Sequence, residues 1–200
     1  MAASNDQVSL LALLDSQLQC LNENDEHPLR SILEDKKLNA RDSYLLSDVD
    51  AELLLSLQFN QAVRISAVRT LFLFGTAQDN LFKLVLKSTV FEEAPKQVKL
   101  FVNHPSIGFE HVESDDPVAE IDIGADDKNA LQEGYQIPLQ QGRRIKVVKF
   151  SKLQTVTSLH IFVASNQGGG DVTRIDGIDV LGYTPETTKN LSGLKKVEDN

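Results

Sequence analysis

Apolar residues along this chain recur mostly at every second position. Leu53, Leu55, Leu57 and Phe59 alternate with neighbours that include Ser56 and Gln58, and Val63 and Ile65 flank Arg64. Ala119, Ile121 and Ile123 alternate with Glu120 and Asp122; Tyr135, Ile137 and Leu139, and then Leu159, Ile161 and Val163, repeat the rhythm. Successive side chains of a strand point to opposite faces, so this spacing predicts strands with one apolar face each. Further β runs cover residues 98–102, 145–150 and 178–181, and turn formers such as Asn60-Gln61, Asn103-His104-Pro105, Gly124, Gly142 and Gly168-Gly169-Gly170 separate the runs. Strands that each bury one face exclude water only when two sheets close on each other. The expectation is an all-β fold, an antiparallel β-sandwich.

Three stretches depart from the rhythm. Val147 and Val148 are adjacent, which implies either a bulge or coverage of both faces. Val8, Leu11 and Leu14 recur at helical spacing and predict a short N-terminal helix; residues 31–38 are a weaker helical stretch. Residues 69–86 pack Thr70-Leu-Phe-Leu-Phe74 and residues 81–86 around a turn-like interruption. That segment reads as an extra hairpin or strand extension, as an apolar partner surface, or as an artefact of gene prediction such as untranslated sequence.

Composition narrows the function. Two hundred residues with 41% hydrophobic content suit one packed domain. Its predicted bounds are residues 9–185, between a flexible N-terminus (1–8) and a flexible tail (186–200). The apolar run at residues 8–14 lacks the basic flank of a signal peptide, and no run approaches the ~20 residues that cross a bilayer. The single cysteine, Cys20, has no internal disulfide partner, which favours a reducing compartment, cytosolic or nuclear. Of the net charge of −9, residues 1–60 carry most, with eleven acidic against four basic side chains. Such a surface disfavours nucleic acid and anionic membranes. Against that trend, Arg143, Arg144, Lys146, Lys149 and Lys152 form a basic run, read either as solvated charges or as a docking patch for an acidic partner.

No catalytic constellation is visible. His27, His104, His111 and His160 are scattered, and one cysteine leaves a zinc site short of ligands, so no metal or cofactor is expected. His160, between the inward candidates Leu159 and Ile161, is expected to face solvent or a loop. Asp171, Asp176 and Asp179 lack the glycine and distal glutamate of a calcium loop. Gly168-Gly169-Gly170-Asp171 lacks the Lys-Ser or Lys-Thr of a phosphate loop and reads as a flexible turn. Acidic neighbours would raise the Cys20 thiol's pKa, so a small buried hydrophobe fits it better than a redox group. The absence of Trp lowers the prospect of a sugar platform without removing it.

Four ordered blocks resemble one family. Cys20-Leu-Asn-Glu with Asn24-Asp-Glu-His27-Pro28-Leu-Arg30 opens the match, and Leu46-Ser-Asp-Val-Asp50 running into Glu52-Leu-Leu-Leu55 and Phe59-Asn60-Gln61 continues it. Ala94-Pro-Lys-Gln-Val-Lys-Leu-Phe-Val-Asn103 with Pro105 and Phe109-Glu110 follows. The fourth block joins Val148-Lys-Phe150, Val156-Thr-Ser-Leu159, Ile161-Phe-Val163, Ser165-Asn-Gln-Gly168, Thr173-Arg174-Ile175 and Leu181-Gly182. Together they resemble the PITH domain. The resemblance implies a jelly-roll-like sandwich similar to galactose-binding domains and a non-enzymatic role in protein interaction. In thioredoxin-linked members it implies association with the proteasome's regulatory particle; no Cys-x-x-Cys is present here, and the stand-alone branch is the nearer likeness. Asn166, Gln167 and Arg174 are the candidate binding residues, at one end of the sandwich. Their alternative role is local: amides satisfying loop backbone and Arg174 pairing with an acid. A small polar ligand or carbohydrate at that end is the competing function.

Overall fold

The computed structural model describes residues 8–65, 83–124, 135–138, 145–147 and 150–184. The strands are Val8–Ser9 (β1), Leu14–Leu21 (β2), Leu45–Leu46 (β3), Leu53–Val63 (β4), Lys83–Lys87 (β5) and Pro95–Val102 (β6). They continue with Ala119–Asp122 (β7), Tyr135–Pro138 (β8), Ile145–Val147 (β9), Val156–Asn166 (β10), Arg174–Ile175 (β11) and Gly177–Gly182 (β12). One sheet has the order β1-β12-β5-β8 and the other β2-β4-β10-β6-β7-β9, with β11 and β3 pairing separately. Every pairing among the described residues is antiparallel. Two antiparallel sheets face each other, the β-sandwich that the alternation predicts and whose jelly-roll-like form the family resemblance implies.

The inner layer follows the period-two pattern. Leu53, Leu55, Leu57 and Phe59 of β4, Val98 and Leu100 of β6, and Leu159, Ile161 and Val163 of β10 share one cluster with Leu84 and Leu86 of β5 and Ile178 and Val180 of β12. Full burial of one such side chain stabilises by about 1.5–3 kcal/mol, so this layer dominates the favourable energetics.

The outer face of the six-stranded sheet differs from expectation. Leu54, Phe101 and Phe162 form a second cluster with Val112 of the helix Phe109–Ser114 (α2), which lies over the sheet. Central strands β4, β10 and β6 are therefore covered on both faces. His160 consequently does not face solvent: it is 2% exposed, with Nδ1 2.9 Å from Ser56 Oγ and Nε2 3.1 Å from both Ser158 Oγ and the His104 carbonyl. The period-two reading assigned the outer positions to water, whereas α2 and its loop exclude water from them.

The short N-terminal helix is a single 3-10 turn, Leu11–Leu13, after which Leu14 already begins β2. The turn carries the chain from one sheet to the other, with Leu10, Leu11 and Leu14 buried. Helical spacing at residues 31–38 resolves to Leu29–Leu33 (α1), ending sooner than predicted. Of the unusual segment 69–86, residues 69–82 lie outside the described residues. Its last part is β5, paired with β12 on one side and β8 on the other, with Leu84 and Leu86 in the core. That portion is an integral strand of the four-stranded sheet. Val148, whose adjacency to Val147 left two explanations open, also lies outside the described residues.

Candidate functional site

Four signature segments converge where β2 and β10 end and β4 and β6 begin. Asn22 organises this end from the left-handed region, at φ 65°, which asparagine tolerates better than most residues. Its Nδ2 donates to the carbonyls of Asp50 and Glu52 and to Asp50 Oδ1, at 2.7–3.2 Å, and its Oδ1 accepts the Val49 N–H at 3.0 Å. Asn24 Nδ2 reaches Asp48 Oδ1 at 3.3 Å, and Glu23 Oε2 accepts the Leu29 N–H at 2.6 Å, anchoring the start of α1. Ser47 Oγ accepts the N–H of buried Thr173, whose own hydroxyl donates to the Ala51 carbonyl at 2.6 Å. The loop 47–52 is thus tied down along its whole length.

The candidate residues Asn166, Gln167 and Arg174 all sit at this end, and the structure brings them together with the Asn22 network. Asn166 is 2% exposed; its Nδ2 donates to the Gly170 and Val172 carbonyls at 2.8 Å each, and its Oδ1 accepts the Gly169 N–H at 2.7 Å. Gln167 Nε2 donates to the carbonyls of Pro95 and Ile123 at 3.0 and 2.8 Å, stitching β6 to the end of β7. Arg174 donates from Nη2 and Nε to Asp176 Oδ1 at 2.7 and 3.2 Å, while its guanidinium carbon lies 3.7 Å from the Tyr44 ring centroid. Tyr44 in turn stacks on His27 at 4.0 Å. Asp176 also accepts the Thr89 N–H at 2.7 Å, so the arginine is held by a fixed carboxylate.

The triglycine turn is more tightly built than a flexible linker. A Cβ on Gly168 would lie 2.9 Å from the Glu92 carbonyl, and Gly169 adopts φ +70°. Close approach at the first position and a left-handed backbone at the second both demand glycine.

What this end shows outward is acidic with one apolar point. Asp25, Glu26, Asp48, Asp50, Glu92 and Asp171 are exposed. Burial first, then the charges of Asp50 and of Glu113 on α2, raises the pKa of Glu52 above the ordinary carboxylate value. Among them Val49 is 78% exposed, the most exposed large apolar side chain among the described residues. Sequence reasoning passed over Val49; the signal was an apolar residue between two acids in a turn, Asp48-Val-Asp50.

Other features fall elsewhere. Of the basic run, Arg143, Arg144 and Lys149 lie outside the described residues, Lys146 lies within β9, and Lys152 is exposed on the 3-10 turn Phe150–Gln154. His104, His111 of α2 and His160 of β10 come together, with the His111 and His160 ring centroids 4.8 and 6.4 Å from that of His104. Among the described residues no group of three or more His, Cys, Asp or Glu side chains is placed to hold a metal ion. Burial, aided by Glu23, pushes the Cys20 thiol well above its ordinary value, the inert state expected of it. No helix among the described residues is long and apolar enough to cross a membrane.

A profile of the PITH domain matches residues 2–199. The chain belongs to the PITH domain family. It is 30% identical over 186 residues to thioredoxin-like protein 1 of Schizosaccharomyces pombe, covering 91% of this chain and 53% of the relative, so this PITH domain spans about half the length of that protein. A SusE-like protein of solved structure superposes with a TM-score of 0.56 at 10% identity, over 89% of this chain and 67% of the other. A family 32 carbohydrate-binding module of Clostridium perfringens, solved with galactose, gives a TM-score of 0.47 at 9% identity, over 88% of this chain and 99% of that one. Likeness at such identities speaks to the fold alone. Part of each of the four matching blocks, around Asn22, Ser47–Glu52, Pro95 and Asn166–Arg174, contributes to the tied-down end of the sandwich.

Proposed function

We propose that this PITH domain is a non-enzymatic protein-interaction module that docks through the loop end carrying Asn166, Gln167 and Arg174, with the proteasome's regulatory particle as its partner. Family membership supports the interaction role. The particle enters through the family's thioredoxin-linked members. The observation that carries the reading is the direction in which this end points its polar groups. Both donors of Asn166 and both donors of Gln167 are engaged by backbone carbonyls, leaving a fixed surface with Val49 at its exposed point. A small-ligand site calls for convergent free polar groups in a concavity, whereas a pre-ordered surface with an apolar anchor suits a protein. A reducing compartment, cytosol or nucleus, fits a buried lone cysteine.

Affinity purification from native extract tests the reading, with a thioredoxin-linked PITH protein run in parallel. Enrichment of regulatory-particle subunits by both supports it. Enrichment by the thioredoxin-linked protein alone removes that partner for this chain. A stability shift with a polar metabolite or sugar, together with failure to capture any protein, would instead favour ligand binding.

A further inference from the structure

The chain between Asn103 and Val118 crosses the outer face of the six-stranded sheet as a strap fixed at both ends. At one end Asn103, at φ 56°, donates from Nδ2 to the Thr155 carbonyl at 2.7 Å and accepts the Thr157 N–H on Oδ1 at 2.8 Å. At the other the Val118 N–H meets the Leu100 carbonyl at 2.7 Å. Between these anchors the backbone bonds of α2 close within the strap, from His111 and Val112 back to Gly108 and from Asp115 to His111. The strap is held to the sheet by apolar contact of Ile107, Phe109 and Val112 with Leu54, Phe101 and Phe162, and by a hydrogen bond from His160 to the His104 carbonyl.

Three imidazoles meet at the strap, His104 and His111 on it and His160 of β10, and their contacts suit neutral rings. A carbonyl can only accept, so His160 Nε2 carries a hydrogen toward His104, and the neutral ring accepts from Ser56 Oγ on Nδ1. A backbone N–H can only donate, so His111 Nδ1, 3.0 Å from the Gly108 nitrogen, is bare and caps the first turn of α2. Glu110 Oε1 lies 3.1 Å from the same Nδ1. A proton there turns Nδ1 from the Gly108 N–H to the carboxylate, exchanging the cap for an ion pair. His104 packs against both other rings, with its Nδ1 buried without a hydrogen-bond partner and its Nε2 3.4 Å from Asp115 Oδ2. Rings so close repel one another when charged.

The strap's own carboxylates here are Glu110, Glu113 and Asp115. On the strands beneath, Lys99 approaches the Phe162 ring, Glu120 stands opposite Lys99, and Glu52 senses Glu113. Among the described residues none of these carboxylates touches the His160 ring nitrogens, which meet Ser56, Ser158 and the His104 carbonyl. Burial lowers the His160 pKa from 6.5 to about 4, and the charge of His104 pushes the same way. Lifted into water, the ring regains its ordinary value, so the open strap binds the proton first and acid favours opening.

We propose that residues 104–117 are a proton-released cover: protonation of the histidine cluster lifts the strap from Leu54, Phe101 and Phe162 while the two sheets stay closed. Leu159, Ile161 and Val163 belong to the separate inner cluster, which the strap does not complete. The device is independent of the loop end.

Native-state hydrogen exchange of the whole chain, corrected for the intrinsic rate at each pH and repeated in low urea, tests this. Opening constants in residues 109–115 should exceed those of Leu55, Leu100 and Ile161 by about a hundredfold or more. They should rise about tenfold per pH unit between about pH 6 and pH 4.5, and respond little to urea, as an opening that exposes little surface does. His111→Gln keeps a capping acceptor without a titrating ring. Combined with His160→Gln, it should flatten the rise to less than about threefold across that range. Equal opening constants and urea slopes for the strap and the inner strands, absence of the rise in the wild type, or its persistence in the double variant would each overturn the proposal. The comparison within the wild type decides even where the double variant fails to fold.

Discussion

Asn166 shows how much one side chain can hold at this end of the sandwich. Replacing it with alanine strands two carbonyls and one N–H in a buried turn, and should lower stability by about 2–3 kcal/mol in urea unfolding. His160 sets a pH dependence of definite sign. Burial, the leading cause, brings its pKa down from 6.5 to about 4. A depressed folded-state value means that the unfolded chain binds the extra proton first. Stability is therefore full above about 6.5 and falls by roughly 2–3 kcal/mol as pH drops toward 4. His160→Gln should flatten that dependence in denaturation curves taken between these limits. If the slope persists unchanged in the variant, His160 is not its source. The histidine's burial was not legible in sequence, because its immediate neighbours, Leu159 and Ile161, announced only which face they occupied. The pairing of Arg174 with an acid and the turn chemistry of Asn166 were legible, because polar side chains in glycine-rich loops find nearby backbone and charge.

The elements were readable where one rule governed them. Leu53 to Phe59 and Leu159 to Val163 alternate because one face meets the opposite sheet, and their strands stand where the pattern put them. The rule failed where a second layer intervened: Leu54, Phe101 and Phe162, on the face opposite the inner layer, are the ground on which α2 sits. Unbroken apolar runs such as Leu53-Leu54-Leu55 carried that information, since strands covered on both faces lose their polar positions. Phe162 makes the edge-to-face contact with Phe109, at 6.1 Å, and lies under Lys99. Phe162→Ala should cost about 3 kcal/mol. It should also speed hydrogen exchange in Phe109–Ser114 before the inner strands open, whereas uniform acceleration would mean that α2 and the sandwich open as one unit. Residues 83–87 escaped recognition as a central strand because the apolar segment before them drew attention to itself.

Across the whole molecule, two sheets close over an aliphatic layer, and part of each matching block meets the others at one end of the sandwich. Their polar side chains hold backbone, leaving acids and Val49 to face a partner. A surface so ordered binds without a large ordering penalty, and its acids set register and association rate more than affinity. Val49→Arg should therefore abolish capture of the partner while leaving the melting temperature within about 2 °C, since exposed positions carry little stability. The most direct measurement is hydrogen exchange of this chain alone and with purified regulatory particle. The account predicts slowed exchange in residues 47–52 and 166–173, lost in Val49→Arg. Protection confined to other surfaces, or none at saturating particle, would contradict it.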